Sequence, residues 1–164
     1  MSNYWKIQGI PHKGWVLEDV YDIREDGQSI DETDYETCMM CNNERIRYVH
    51  VVTHKEVEEE FKVGCVCAEK MTNDYVNPKQ IENNLRNKAN RRINWVKKAW
   101  KISKNGNHYL KVEEHHLLIY IDKKINKYKC KIDEQFGKKS FENIEQAKIA
   151  IFNGIEYYKE KGEW

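Results

Sequence analysis

Residues 38–67 read CMMCNNERIRYVHVVTHKEVEEEFKVGCVC. This stretch holds four of the five cysteines, as Cys38-x2-Cys41 at its beginning and Cys65-x-Cys67 at its end. Two residues between cysteines allow a tight knuckle that turns both sulfurs toward one ion, and structural zinc takes four such ligands. Clustered cysteines and an odd total favour metal ligation over a disulfide framework. The stretch therefore predicts a zinc site made of Cys38, Cys41, Cys65 and Cys67.

The segment between the two cysteine pairs predicts a β-hairpin. Ile46 to Thr53 is rich in β-branched residues and predicts one strand, and Phe61 to Val63 predicts the return strand. His50 and His54 compete as ligands, but four residues along a strand separate them by roughly 13 Å, too far for one ion. Three states stay open: ligation by four cysteines, ligation by three cysteines and one histidine, or no metal.

The second cysteine pair is less regular than the first. Two residues along an extended strand span roughly 6.6 Å, so Gly64 would have to bend the chain to bring Cys65 and Cys67 onto one ion. If Cys67 opens a helix that continues through Met71, its thiolate is favoured by the helix N-terminus. A closed four-thiolate site leaves no position for water or substrate, so the expected role of the zinc is structural.

Residues 78–101 predict a long helix with a cationic outer face. Asn77 is a suitable cap, Pro78 suits the first helical position, and Gln80 completes a pattern like a capping box. An apolar stripe recurs every three or four residues. The stripe consists of Ile81, Leu85, Ala89, Ile93, Val96 and Trp100. The candidate nucleic-acid-binding residues outside it are Arg86, Arg91, Arg92, Lys97 and Lys98.

Residues 102–164 predict a β-β-β-α domain, in which Asn143 caps the helix. The three predicted strands are Tyr109–Val112, Leu117–Ile121 and Tyr128–Ile132. Together these elements predict an α+β fold in three parts. The parts are a zinc-binding module at 1–77, the connecting basic helix at 78–101 and the β-β-β-α domain at 102–164.

The net charge of +1 hides an asymmetry along the chain. Residues 1–60 carry 6 Lys/Arg against 14 Asp/Glu, whereas residues 61–100 carry 9 Lys/Arg against 3 Asp/Glu. Within the first segment, Asp26-Gly27 predicts a turn. A basic face can meet nucleic acid, and an acidic face can meet a basic protein. The apolar runs are too short to span a bilayer, and the first residues lack a secretory signal, which predicts a cytoplasmic protein with no membrane partner.

Several segments together resemble an uncharacterised family of small bacterial and phage zinc-binding proteins. That family shares a Cys-x-x-Cys, an Ile-Arg-Tyr/Phe-Val-His strand and a Val-Gly-x-x-Cys-Ala element, followed by a basic helix. The matching segments here are residues 10–15, Cys38-x-x-Cys41, Ile46–His50, Val63–Ala68, Asp74–Val76, Trp100–Asn107 and Glu145–Lys148. The resemblance covers nearly the whole chain. It implies a zinc-binding protein of bacterial or phage origin and attaches no activity to it.

The last unit has a second, weaker resemblance. Phe141 to Lys148 is similar to the helix start of the plant Apetala-type and phage integrase arm-type DNA-binding domains, whose sheet lies in the major groove. The expectation is a non-enzymatic, zinc-stabilised protein that binds nucleic acid, with DNA expected before RNA, and no small-molecule substrate. Two alternatives stay open. One is a phage or mobile-element protein that modulates a host protein through its acidic front half, and the other is a metal-dependent nuclease.

Overall fold

The computed structural model describes residues 3–25 and 28–164, so the turn predicted at Asp26-Gly27 lies outside the described residues. Helices and two antiparallel sheets are both present, and the α+β fold class is confirmed. The chain divides into two compact units, Met1–Lys88 and Ala89–Trp164. The division falls inside the long helix, whose residues therefore contribute to both units.

The N-terminal unit is built on a three-stranded antiparallel sheet in the order β1-β2-β3. The strands are β1 (Val16–Asp22), β2 (Tyr48–His54) and β3 (Val57–Val63). The hairpin predicted between the cysteine pairs is confirmed as β2 and β3. The segment before the first cysteine supplies the third strand, which pairs with β2.

The middle strand β2 lies in the core because its first five residues are all buried. Val49 and Val52 are fully buried and pack in one cluster with Trp15, Phe61 and Met71. Burying a side chain of this size contributes about 1.5–3 kcal/mol relative to leaving it exposed. Burial among apolar side chains thus stabilises the β-branched run as a strand.

Helix α1 (Cys65–Thr72) begins two residues earlier than the helix expected to open at Cys67. Gly64 is its N-cap in an extended conformation, so this glycine ends β3 and starts the helix. Asn73 ends the helix in the left-handed conformation, with φ of 52°. Both cysteines of the second pair therefore belong to the first turn of a helix rather than to a bent strand.

Helix α2 (Asn77–Lys97) matches the predicted helix but ends four residues before the predicted end at residue 101. Of its apolar stripe, Ala89 is buried, whereas Ile81 is 39% and Ile93 is 50% exposed. The prediction that these two isoleucines point into a core is wrong. The described residues around them cover only part of the stripe, although its spacing suits a fully packed face.

The C-terminal unit is a five-stranded antiparallel meander followed by one helix. Its elements are β4 (Lys101–Ile102), β5 (His108–Val112), β6 (His115–Asp122), β7 (Lys127–Ile132), β8 (Gln135–Phe136) and α3 (Ile144–Glu160). The three predicted strands are confirmed as β5, β6 and β7, and a two-residue strand extends each edge.

Helix α3 begins where the sequence predicts it. The Asn143 side chain accepts a hydrogen bond from the Gln146 backbone N–H at 2.9 Å, which satisfies one of the free donors at the helix start. Ala147, Ile151 and Ile155 are buried against the sheet. Within residues 3–25 and 28–164, no helix combines the length and the apolar character needed to cross a membrane.

Candidate metal centre and arginine pocket

Cys38, Cys41 and Cys67 form a cluster, called here the three-cysteine site, in which the sulfur atoms all lie within 4.8 Å of one another. A tetrahedral zinc with bonds of about 2.3 Å brings its sulfurs to about 3.8 Å apart, so small side-chain movements would close this site around an ion. Cys38 and Cys67 are buried and Cys41 is partly buried. The three side chains therefore fit a metal ion.

The knuckle that carries the first pair is a hairpin loop. Glu36 and Ile46 exchange two backbone hydrogen bonds of 3.0 Å that close the hairpin. Inside it, the Asn42 N–H donates to the Cys38 carbonyl at 2.8 Å, and Asn42 takes the left-handed conformation that makes the turn tight. The Met39 N–H donates to the Lys62 carbonyl at 3.0 Å, which ties the knuckle to β3. The third sulfur comes from the first turn of α1.

Charge at the three-cysteine site is concentrated on one sulfur. The Cys67 thiol donates a hydrogen bond to the Cys38 sulfur, which lowers the pKa of Cys38 and raises the pKa of Cys67. Backbone N–H groups add to the effect on Cys38, from Cys41, Gly64 and Met40. Of these two thiols, Cys38 is the one whose lowered pKa favours the thiolate, and a thiolate is the form that binds metal.

Cys65 does not join the three-cysteine site. Residues two apart in a helix are rotated by about 200°, so Cys65 and Cys67 point to different sides of α1. The Cys65 thiol donates to a Glu69 carboxylate oxygen at 3.3 Å. Burial and this carboxylate raise the pKa of Cys65 to about 12. Among the described residues, the three-cysteine site gains no fourth His, Cys, Asp or Glu within the same distance.

Neither histidine of β2 reaches the three-cysteine site. His50 is completely buried, and its two ring nitrogens lie 3.2 Å from the Tyr48 carbonyl and 3.3 Å from the Pro78 carbonyl. His54 lies 3.0 Å from the Lys13 carbonyl and packs against Trp15. His50 belongs instead to a second group with Cys65 and Glu82, whose donor atoms also lie within 4.8 Å of one another.

Four arginines line a pocket of about 370 Å³ in the N-terminal unit, called here the arginine pocket. They are Arg24, Arg45, Arg47 and Arg86. Tyr35, Asn43, Ile46, Tyr48, Gly64, Cys65 and Glu82 complete the lining. Residues from the end of β1, from both flanks of the knuckle and from α2 therefore meet at one place.

Two of these arginines have no carboxylate partner among the described residues. Arg24 donates to the Thr33 hydroxyl at 2.9 Å and to the Tyr35 hydroxyl at 2.8 Å. The Arg45 guanidinium lies 4.9 Å from the centre of the Tyr35 ring. Burial acts to raise the pKa of Tyr35, but hydrogen bonds and positive charge from Arg45 and Arg24 outweigh it and lower that pKa. Neither guanidinium on this side of the pocket forms an ion pair with a carboxylate in the part of the chain that the structure describes.

The other two arginines lie over the ring of Tyr48, with guanidinium carbons 5.0 Å away for Arg47 and 4.8 Å away for Arg86. Arg47 makes a bidentate ion pair with Asp22 at 2.9 and 2.8 Å, and Arg86 has a longer contact of 3.7 Å with Glu82. Tyr48 is 4% exposed, and its hydroxyl has no hydrogen-bond partner within residues 3–25 and 28–164. Such an unmet buried group costs about 1–3 kcal/mol.

The predicted cationic face of α2 is only partly free. Arg86 belongs to the arginine pocket, whereas Arg91 pairs with Glu156 of α3 at 3.1 Å. Arg92 lies over Phe152, and Lys98 lies over Trp95. Lys97 is exposed. Arg91, Lys97 and Lys98 line one pocket of about 510 Å³ with residues of α3, and Arg86 lines the arginine pocket, so three of the five predicted residues share a pocket.

Arg24 and Arg45 are the binding candidates that sequence reasoning missed. Residues 1–60 contain 6 Lys/Arg and 14 Asp/Glu, and this net negative charge does not suggest an anion-binding site in the segment. The available signal was residue type, because half of these cations are arginine, the side chain used for bidentate recognition of phosphate. Comparison with protein-family models, curated proteins and solved structures found no match to the chain.

Proposed function

We propose that this is a non-enzymatic, zinc-stabilised nucleic-acid-binding protein that takes a backbone phosphate into the arginine pocket. The observation that carries the proposal is a pocket lined by four arginines and by Tyr48, whose buried hydroxyl has no hydrogen-bond partner among the described residues. A phosphate oxygen is an acceptor that such a hydroxyl can donate to. It also suits guanidinium groups, which bind phosphate through two parallel N–H donors.

The charge balance supports an anionic ligand. Asp22 offsets Arg47, and Glu82 is near Arg86, but Arg24 and Arg45 have only hydroxyl and aromatic partners among the described residues. Their charge therefore remains available to a ligand. Phosphates dominate the affinity of proteins for nucleic acid, so a pocket with this surplus is suited to hold the backbone.

The metal and the pocket share one structural element. Cys38 and Cys41 lie inside the hairpin that Glu36 and Ile46 close, Arg45 is the last residue inside that closure, and Tyr35 is the residue just outside it. Zinc at the three-cysteine site would hold this hairpin against α1. In the proposal, the zinc acts by positioning the pocket, and no step of chemistry is assigned to it.

The experiment is a binding titration with labelled single- and double-stranded DNA and RNA at several salt concentrations. The variant Arg24→Gln with Arg45→Gln should lose affinity largely independently of base sequence, with a salt slope shallower by about one unit for each phosphate contact removed. The matched control is Lys6→Gln with Lys55→Gln, because both lysines are exposed in the same unit and the charge change is equal. Tyr48→Phe should also weaken binding while keeping the fold.

A folded wild-type protein with no measurable affinity for any of these nucleic acids at low salt would contradict the proposal. It would favour a protein partner for the arginine pocket. Equal losses in the arginine variant and in the lysine control would show that only net charge matters and would remove the pocket from the proposal.

A further inference from the structure

In addition to the three-cysteine site, the N-terminal unit contains a second cluster of side chains that can ligate a metal ion. A ring nitrogen of His50, the sulfur of Cys65 and a carboxylate oxygen of Glu82 all lie within 4.8 Å of one another. The residues come from β2, the first position of α1 and the second turn of α2. We propose that His50, Cys65 and Glu82 bind a second divalent metal ion, distinct from the ion of the three-cysteine site.

Both ring nitrogens of the buried His50 face hydrogen-bond acceptors. A neutral imidazole has one N–H, but both nitrogens of His50 face backbone carbonyl oxygens, of Tyr48 at 3.2 Å and of Pro78 at 3.3 Å. One nitrogen therefore turns a lone pair toward an acceptor. A histidine that ligates a metal commonly donates its other N–H to a backbone carbonyl, which fixes the tautomer.

The two carbonyl contacts indicate which nitrogen takes which role. Nε2 faces Pro78, and Pro78 and Glu82 are four residues apart in α2 and so lie on one face of that helix. Nδ1 faces Tyr48 within the same strand. In the proposal, Nδ1–H donates to the Tyr48 carbonyl, and Nε2 is left to bind the ion beside Glu82.

Two carboxylates belong to the cluster or contact it, although Cys65 and Glu82 also line the pocket that the four arginines line. Besides Glu82, the Glu69 carboxylate lies 3.3 Å from the Cys65 sulfur. Glu82 pairs with Arg86, but the contact is long at 3.7 Å and the Arg86 side chain is 54% exposed. Two carboxylates and a thiol beside a buried imidazole form a donor set that a divalent ion would neutralise.

The ligand types select the class of metal. A mixture of imidazole nitrogen, thiolate sulfur and carboxylate oxygen suits zinc and similar transition metals, whereas magnesium and calcium prefer oxygen alone. Three protein ligands leave at least one coordination position for water or an anion. Cys65 and Glu82 both line the arginine pocket, so that position would be reached from the pocket.

Metal stoichiometry of the full chain tests the proposal. Protein saturated with zinc and then desalted should contain about two ions per chain by elemental analysis, one for each cluster. Glu82→Gln keeps the shape of its side chain and should lose about one ion, and Cys65→Ser should lose the same one. The controls are Glu60→Gln, an exposed carboxylate of β3, and Cys130→Ser, and both should keep the full content.

A combination with the three-cysteine site separates the two ions. Cys41→Ser alone should lose about one ion, and Cys41→Ser with Glu82→Gln should lose both. Circular dichroism of each variant checks that the fold remains. A wild-type content of one ion per chain, or an unchanged content in folded Glu82→Gln, would overturn the second site. The second site would also be overturned if Cys65→Ser and Cys41→Ser lost the same single ion, because Cys65 would then be a ligand of the three-cysteine site.

Discussion

The indole Nε1 of Trp5 donates a hydrogen bond to the sulfur of Cys67 across 3.2 Å, although the two residues are 62 positions apart. This bond joins the N-terminal segment to the three-cysteine site. A donor beside a metal-binding thiolate orients it and offsets part of its negative charge. Trp5 is therefore expected to contribute to metal binding without being a ligand.

The first prediction concerns this hydrogen bond. Trp5→Phe keeps an aromatic ring but removes the N–H, so zinc affinity at the three-cysteine site should fall by about 10–100-fold. Competition with a chromophoric chelator measures the change. Trp164→Phe is the control, because Trp164 lies in the other unit and its Nε1 has no hydrogen-bond partner among the residues that the structure describes. An unchanged affinity in Trp5→Phe would show that the indole N–H does not support the site.

The second prediction compares two cysteines with different roles. Cys41→Ser should lose about one zinc and should lower the unfolding temperature of the N-terminal unit, because a structural metal contributes its binding free energy to folding. Cys130 is buried in the C-terminal unit, where its sulfur lies 3.4 Å from the Ala147 carbonyl. Cys130→Ser should keep the metal.

Elemental analysis and thermal unfolding monitored by circular dichroism check both cysteine variants. A chelator should destabilise the wild type and leave Cys41→Ser much less affected. Gently purified protein that is stable and free of metal would contradict the zinc site.

The third prediction concerns the pH dependence of stability. Asp133 accepts hydrogen bonds from the His115 side chain at 2.7 Å and from the His116 backbone N–H at 2.8 Å, and these contacts lower its pKa. A lowered pKa in the folded state stabilises the protein above the unfolded-state pKa of about 3.9. That contribution is lost as the pH falls through the lower folded-state value.

Asp133→Asn should therefore be less stable than the wild type at neutral pH, by at most about 1 kcal/mol because the carboxylate is solvent-accessible. The difference should close below about pH 4. Urea unfolding at a series of pH values measures it. Glu134→Gln alters a neighbouring side chain that is 97% exposed and should show no such trend. A stability difference that persists unchanged into acid would exclude the carboxylate charge as its cause.

Local pattern was sufficient to predict most of the elements. Asn143 followed by Gln146 three residues later predicts a capped helix, and α3 starts there with that hydrogen bond. The β-branched run around Val49 predicts a strand, and β2 forms. Caps, periodicity and β-branching act over a few residues, so they can be read before the fold is known.

The apolar stripe of α2 shows that local pattern does not predict burial. The spacing of Ile81 and Ile93 predicts burial, but both side chains remain exposed because the described residues do not cover that part of the helix. Periodicity shows that a face is apolar. Whether a neighbour covers the face depends on tertiary packing.

The sequence by itself determined that Cys38 and Cys41 would share a knuckle, because two intervening residues hold both sulfurs close. It could not assign Cys65. That depends on α1 beginning at Cys65, because a helix turns residues two apart to different sides, whereas a bent strand could have brought them together. The tertiary structure alone also brought Arg24, Arg45 and Arg86 to the lining of one pocket. These residues are far apart in the chain, so only long-range packing brings them to one pocket.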